Sequence, residues 1–178
     1  MSTLDNLQAA FNGESNARAK YLAFAVKADE EGYSAVASLF RAAAAAEEIH
    51  ANAHARVIKK MGATPTANIA KVEIKSTREN LGVAIKGETY ERDVMYPQFI
   101  KGAKAEENKA AMMTCEYALA AEAEHAKLYQ EALDNLEKWR GGKRTFYVCP
   151  VCGFTTEKPV EDHCPVCKAG QAKFKKVD

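Results

Sequence analysis

Two copies of a Glu-x-x-His pattern, Glu47 to His50 and Glu122 to His125, lie inside alanine-rich stretches of this chain. Residues three apart share one face of an α-helix, so each pair directs a carboxylate and an imidazole to the same side. Apolar residues at helical spacing place both glutamates on the buried face of their helices. Because a buried carboxylate needs a hydrogen-bonding partner or a cation, the chain must fold so that two helices bring these groups to a site that accommodates charge.

The composition divides the chain into two parts. Alanine, leucine, glutamate and lysine dominate from Leu4 to Trp139 and favour helix, whereas cysteine and valine are frequent after Gly141 and Gly142. With 178 residues, 47% of them hydrophobic, the chain can bury a core. We predict two domains, residues 1–140 and residues 141–178.

Glycines near the ends of the periodic stretches predict four long helices in the first domain. Gly32, Gly62 and Gly102 punctuate the first three, and Gly141 closes the fourth. Pro97 should kink or interrupt the third helix. Residues 63–76 lack a strong helical stripe and predict a long connection, which permits a non-sequential helix order in a bundle.

The first and third helices also carry glutamates on their apolar faces, namely Glu14, Glu88 and Glu91. Together with the two Glu-x-x-His pairs, they nearly make up the ligand set of ferritin-like di-iron proteins. One such pair could arise by chance and face water. Two pairs, with glutamates on both remaining helices, favour a di-metal site.

Several other polar residues of this domain have more ordinary interpretations. His54 has no glutamate three residues before it, and we predict a hydrogen-bonded core residue. Cys115 has no second cysteine nearby and is predicted to be a small buried hydrophobic residue. Tyr21 and Tyr96 fit either core aromatics or hydrogen-bond donors to the carboxylates, and we favour the second interpretation.

The second domain contains two C-x-x-C knuckles, a pattern typical of one tetrahedral four-sulfur metal site. Gly153 allows the backbone of the first knuckle to turn so that amides point at sulfur. The spacing alone does not distinguish zinc from iron, so a zinc ribbon stays open at this point. The four predicted ligands are Cys149, Cys152, Cys164 and Cys167.

Charge and hydropathy favour a cytoplasmic protein without a membrane or nucleic-acid partner. No apolar run is long enough to cross a bilayer, and the first residues lack the layout of an export signal. In a reducing compartment, paired cysteines bind metal more often than they form disulfides. Residues 141–178 hold seven Lys and Arg against four Asp and Glu, and four thiolates around a divalent ion would offset most of this excess.

In five motifs, taken in order, the chain resembles the rubrerythrins over almost its full length. These motifs are Gly13-Glu14-Ser15 with Tyr21, the segment from Gly87 to Glu91 running into Met95-Tyr96-Pro97, both Glu-x-x-His pairs, and the cysteine knuckles. The resemblance implies an all-α fold, a ferritin-like four-helix bundle with a small C-terminal rubredoxin-like metal-binding domain. Lys168 departs from the pattern, since glycine is frequent there, and this could alter one amide-to-sulfur hydrogen bond.

The resemblance also implies iron at both sites, with a single iron held by the four cysteines. In the family, the glutamate matching Glu91 exchanges with the histidine matching His50 as the iron changes oxidation state. Glu91, Tyr21 and Tyr96 are accordingly the candidate catalytic residues, and Glu47 and Glu122 would bridge the two ions. The implied di-iron ligands are Glu14, Glu47, His50, Glu88, Glu91, Glu122 and His125.

The function implied is a non-haem di-iron peroxidase that reduces hydrogen peroxide to water in oxidative-stress defence. Electrons would come from the rubredoxin-like iron, and ultimately from NADH through a separate reductase or a rubredoxin, since the chain has no Gly-x-Gly-x-x-Gly fingerprint. The short connection from Gly141 to Lys143 favours an approach of the tail to a partner's bundle, in a head-to-tail homodimer. The alternatives are a ferroxidase or iron-storage protein, and a non-enzymatic adaptor with a zinc-ribbon tail.

Overall fold

The computed structural model describes all 178 residues, and helices form the first three quarters of the chain. The four predicted long helices are present, although the third is built from three segments and a short extra helix follows the fourth. The helical elements are α1 (Thr3–Glu30), α2 (Ser34–Lys60), α3 (Thr77–Tyr90), a π-helical segment (Glu91–Met95), α4 (Tyr96–Ala105), α5 (Lys109–Asp134) and α6 (Leu136–Trp139).

Local signals explain where these helices begin and end. Ser2 and Ser76 cap α1 and α3 as capping boxes, each completed by an acidic residue three positions later. Gly32 and Gly62 adopt left-handed backbone angles just after α1 and α2, as the glycine pattern predicts. Gly102 lies in the last turn of α4 instead, and the chain turns at Glu107, with a φ of 54°.

The predicted connection between α2 and α3 has no regular secondary structure and runs along α1. Gln8, Asn12 and Asn16, four residues apart on α1, hydrogen-bond to the backbone of this connection at 2.7–3.2 Å. The connection carries the chain across the bundle, so that α1 packs along α2 while α3 and α4 pack along α5.

The interruption predicted from Pro97 is present in the turn just before it. The π-helical turn covers Glu91 to Met95 and contains Asp93, whose carbonyl oxygen cannot receive the usual hydrogen bond from four residues later because Pro97 has no N–H. Widened turns of this kind often occur at functional sites, and this one carries one of the predicted ligands, Glu91.

The tail is a small three-stranded antiparallel sheet with strand order β2-β1-β3. Its strands are β1 (Phe146–Val148), β2 (Thr155–Thr156) and β3 (Lys175–Val177). Phe146 and Val148 point into the main core of the bundle, with Trp139 as a neighbour in the same cluster. The domain boundary after residue 140 stays a prediction, and no helix has the length and apolar character needed to cross a membrane.

Candidate metal centres

Two overlapping groups of buried ligand atoms lie at the centre of the four-helix bundle. Within each group, the candidate ligand atoms are all within 4.8 Å of one another, and every residue is buried. Glu47 on α2 and Glu122 on α5 belong to both groups, so they occupy the positions expected of bridging carboxylates. One group is Glu14, Glu47, His50 and Glu122; the other is Glu47, Glu88, Glu122 and His125.

The two histidines have equivalent orientations. His50 Nδ1 lies 3.1 Å from Glu47 Oε2 and 3.0 Å from Glu122 Oε1, and His125 Nδ1 lies 2.9 Å from Glu122 Oε2. Each imidazole therefore directs Nδ1 into the carboxylate cluster and Nε2 away from it. This arrangement suits metal ligation through Nδ1 with a fixed outer hydrogen bond through Nε2.

The chemistry of the cluster fits metal ions. Three carboxylate oxygens, one each from Glu14, Glu47 and Glu88, are buried without a hydrogen-bond partner, and Glu122 Oε1 lies 3.0 Å from His50 Nδ1. No lysine or arginine forms an ion pair with these glutamates. Burial raises the pKa of Glu47 and of Glu122, and neighbouring carboxylates raise both further. Unpartnered buried oxygens of this kind require cations, or protons in their place.

Two tyrosines donate hydrogen bonds to the outer glutamates. The hydroxyl of Tyr21 lies 2.6 Å from Glu88 Oε1, and the hydroxyl of Tyr96 donates to Glu14 Oε1. Each tyrosine occupies one oxygen of its glutamate and leaves the other unpartnered. The contacts favour the donor interpretation of Tyr21 and Tyr96, while their catalytic role stays a prediction.

Glu91 is the one predicted di-iron ligand that the structure leaves outside both groups. It lies on the π-helical turn, is partly exposed, and has its Oε1 near Gly13 on α1. Burial of its carboxyl, and then the neighbouring Glu14, raise the pKa of Glu91. A position beside the cluster is compatible with a carboxylate that binds iron in only one oxidation state. The role of Glu91 as a ligand stays a prediction.

Other residues of this region are placed as the sequence predicts or were missed by it. His54 is buried and hydrogen-bonded to Tyr96 and Thr114, which confirms a core role. Cys115 is buried, and burial raises its thiol pKa to about 12.

Tyr129, whose ring centroid lies 5.5 Å from that of Tyr21, has a buried hydroxyl without a partner. The sequence feature that could have pointed to Tyr129 is its position on the apolar face of α5.

The four cysteines of the tail form a second, sulfur-only group. Their Sγ atoms lie within 4.8 Å of one another, and the Cys149–Cys167 and Cys152–Cys164 pairs are each 3.5 Å apart. Hydrogen bonding from the Cys152 thiol and from backbone amides lowers the pKa of Cys149 to about 5. Such a group favours thiolates and holds a tetrahedral metal ion.

Left-handed backbone turns shape both cysteine knuckles. Gly153 has a φ of 77°, and Lys168 adopts a φ of 62° at the corresponding place in the second knuckle. The amide of Ala169 still hydrogen-bonds to Cys167 and lowers the pKa of that thiol, against the larger effect of burial. Lys168 therefore keeps the amide-to-sulfur geometry, with a strained backbone angle.

The tail packs directly on the bundle of its own chain, above the carboxylate cluster. His50 Nε2 lies 3.0 Å from the carbonyl oxygen of Cys152, and His125 Nε2 lies 3.0 Å from Thr155 Oγ1. The short Gly141–Lys143 connection, which favours an approach to a partner's bundle, nevertheless allows this contact within one chain. The first knuckle reaches the histidines because Gly153, which has no side chain, lies against the His50 ring.

A bundle that buries two carboxylate-histidine groups, joined to a four-cysteine domain, defines a metalloprotein with two kinds of metal centre. The rubrerythrin family model matches residues 5–133, and the model of the rubrerythrin rubredoxin-like domain matches residues 147–175. The chain belongs to the rubrerythrin family.

Relatives match along nearly the whole chain. Rubrerythrin-2 of Clostridium acetobutylicum is 39% identical over 177 residues, covering 97% of this chain and 95% of that protein. Nigerythrin of Nitratidesulfovibrio vulgaris is 39% identical over 169 residues, covering 93% and 82%. The structure of fully reduced, all-ferrous nigerythrin superposes with a TM-score of 0.91 at 36% identity, covering 99% of this chain and 87% of that one.

These findings confirm the predicted fold class and the predicted cofactors. The chain is a ferritin-like bundle with a rubredoxin-like domain, and its cofactors are a di-iron centre and one rubredoxin-type iron. Family membership identifies an oxidoreductase. The zinc-ribbon adaptor is therefore the weakest of the alternatives considered.

Proposed function

We propose that this protein is a non-haem di-iron peroxidase that reduces hydrogen peroxide to water. One observation carries the proposal, namely the direct hydrogen bonds between the cysteine domain and both histidines of the carboxylate cluster. A storage protein has no use for an electron-transfer domain in this position, whereas a peroxidase must be re-reduced after each turnover.

Iron, when held by the seven proposed ligands, would supply the two electrons that, with two protons, convert one hydrogen peroxide to two waters. The residues around it orient the carboxylate ligands and supply protons to the reacting oxygens. Glu14 and Glu88 are each held by a tyrosine hydroxyl, which leaves one oxygen of each carboxylate for metal. Tyr21 and Tyr96 donate hydroxyl hydrogen bonds to glutamates of the cluster, and we assign them the supply of protons to the reacting oxygens.

Electrons enter from the tail along the contact between Cys152 and His50. The Cys152 carbonyl belongs to a proposed ligand of the tail iron, and His50 is a proposed ligand of the di-iron centre, so one hydrogen bond joins the two sites. The ultimate donor we propose is NADH, acting through a separate reductase or a rubredoxin. Defence against oxidative stress in the cytoplasm is the corresponding physiological role.

The head-to-tail homodimer implied by the family resemblance stays a prediction. The tail of each chain already contacts its own bundle, so electron transfer does not require a partner's tail. Sedimentation of the iron-loaded protein at several concentrations measures the assembly.

The test is a single turnover of iron-loaded protein that has been reduced without oxygen and then given one equivalent of hydrogen peroxide. The thiolate-to-ferric absorption band of the tail should return rapidly, because the tail iron is oxidised through the bundle. Reoxidation by peroxide should be faster than by dioxygen. A band that returns no faster with peroxide than with dioxygen would favour the ferroxidase or storage alternative.

Glu91→Ala tests the proposed role of the glutamate on the π-helical turn. Asp93→Ala, an exposed position on the same turn, is the matched control. We expect Glu91→Ala to keep the tail iron and to slow peroxide turnover, and Asp93→Ala to do neither. Equal rates in the two variants would count against Glu91.

A further inference from the structure

A chain of hydrogen bonds leads from the carboxylate cluster to the boundary of the bundle. Tyr96 donates to Glu14, His54 Nε2 lies 3.1 Å from the Tyr96 hydroxyl, and Thr114 Oγ1 lies 3.2 Å from His54 Nδ1. Glu14, Tyr96 and His54 are completely buried, whereas Thr114 is 5% exposed. Thr114, although buried, is thus the only member of the chain with any exposed surface.

The direction of these hydrogen bonds follows from Glu14. A carboxylate that binds metal only accepts hydrogen bonds, so Tyr96 must donate to it, and the Tyr96 oxygen then accepts from His54 Nε2–H. His54 is fully buried between two hydroxyls, and a neutral imidazole has one donor and one acceptor nitrogen. Nδ1 therefore accepts from the hydroxyl of Thr114, and every donor in the chain points toward Glu14.

The other half of the metal centre has no such chain. Tyr21 donates to Glu88, as Tyr96 does to Glu14. Beyond Tyr21 lies Tyr129, whose ring packs edge-on against it and whose buried hydroxyl has no partner. The two halves are alike as far as the tyrosines, and only the half with Tyr96 continues through further hydrogen bonds to a residue with some exposed surface.

We propose that His54 and Thr114 are positioning residues that hold Tyr96 as a donor to Glu14 and return a proton to it from the surface. The inference rests on the proposed peroxidase function, which consumes two protons for each hydrogen peroxide. His54 and Thr114 touch neither substrate nor metal ligands by hydrogen bonds of their own, and they act through the Tyr96 hydroxyl.

The proton balance closes without leaving a charge in the core. When Tyr96 gives its hydroxyl proton to the centre, its oxygen takes the proton from His54 Nε2. His54 Nδ1 takes the proton of the Thr114 hydroxyl, and solvent replaces that proton. The hydrogen on the ring has then moved from Nε2 to Nδ1, so each proton delivered leaves His54 neutral and in its other tautomer.

The tautomer of His54 is a direct readout that needs no turnover. In zinc-substituted, diamagnetic protein with ¹⁵N-labelled histidine, we expect hydrogen on Nε2 and an acceptor Nδ1, with the signals identified by their loss in His54→Gln. Thr114→Val removes the hydroxyl at nearly constant volume and should shift the Nδ1 signal, and Thr114→Ser should restore it. Hydrogen on Nδ1 in the unmodified protein would overturn the proposal.

The second readout is the rate of the single turnover with peroxide in light and heavy water. Because positioned proton transfer contributes about 10²-fold or more to such reactions, we expect Thr114→Val to be slower by at least about tenfold, with a changed solvent isotope effect. Thr114→Ser should recover the rate. An unchanged rate and isotope effect in Thr114→Val, or no recovery in Thr114→Ser, would overturn the proposal. An unmodified protein inert to peroxide would instead refute the proposed function itself.

Discussion

Replacing Gly153 with alanine should push the tail away from the bundle. An added Cβ would lie 2.2 Å from His50 Nε2, which is 1.2 Å less than the 3.4 Å at which ordinary contact begins. The His50 ring is packed in the core and hydrogen-bonded to Glu47, so it has little room to retreat. We therefore expect the first knuckle to move outward and the 3.0 Å hydrogen bond from His50 to the Cys152 carbonyl to break.

Two contributions set the size of the effect on stability. The left-handed backbone angle costs about 1–2 kcal/mol for a residue with a Cβ, and the lost hydrogen bond costs about 1 kcal/mol. The free energy of unfolding should fall by about 2–3 kcal/mol. Gly62→Ala is the matched control, because Gly62 has a φ of 81° and no atom within 4 Å of the added Cβ. The free energy of unfolding of Gly62→Ala should therefore fall only by the cost of the left-handed backbone angle, about 1–2 kcal/mol.

Urea denaturation of the zinc-substituted protein measures the stability difference, and the return of the tail iron's absorption band after peroxide measures the coupling. We expect Gly153→Ala to be less stable than Gly62→Ala and to reoxidise its tail iron more slowly, while Gly62→Ala keeps the normal rate. If the two variants are equally stable and equally fast, the contact of Gly153 with His50 does not join the two domains.

Two further predictions concern the tail and the start of α3. Lys168→Gly should raise the stability of the tail by about 0.5–1 kcal/mol, because it relieves the left-handed strain of Lys168; an unchanged thermal midpoint would argue against strain there. Hydrogen bonding by Thr77 lowers the pKa of Glu31, so the charged carboxylate stabilises the fold above its unfolded pKa, near 4.5, and loses this effect as the pH falls through the folded pKa. Glu31→Gln should therefore cost about 1 kcal/mol at pH 7 and progressively less below pH 4.5, and a pH-independent difference would contradict this.

The sequence predicts the bundle well, and it singles out the six residues that the structure gathers at the centre of the bundle, because both depend on helical periodicity. The apolar faces of α2 and α5 place Glu47 and Glu122 in the core, and the three-residue spacing brings each histidine to its glutamate. The sequence also predicts the long connection after α2, since residues 63–76 lack a helical stripe.

The features that the sequence did not reveal depend on backbone geometry or on contacts between distant parts of the chain. A π-helical turn differs from an α-helical one by a shift in hydrogen bonding, and no residue from Glu91 to Met95 signals that shift. Thr155 reaches His125 only because the tail folds back, and the short connection argued against that fold. Gly153 was recognised for its turn, but its role in close packing needs the position of His50.

The connection from α2 to α3 has a register that α1 imposes on it. Each step of four residues along a helix rises about 6 Å, and two residues of extended chain span about 6.6 Å. The spacing of side chains on α1 therefore matches the spacing of amides in the connection. The amides of Thr66, Asn68 and Ala70 donate, in that order, to the side chains of Gln8, Asn12 and Asn16. A one-residue deletion between Thr66 and Ala70 would break this match, so the route of the chain across the bundle is encoded in a polar stripe of α1.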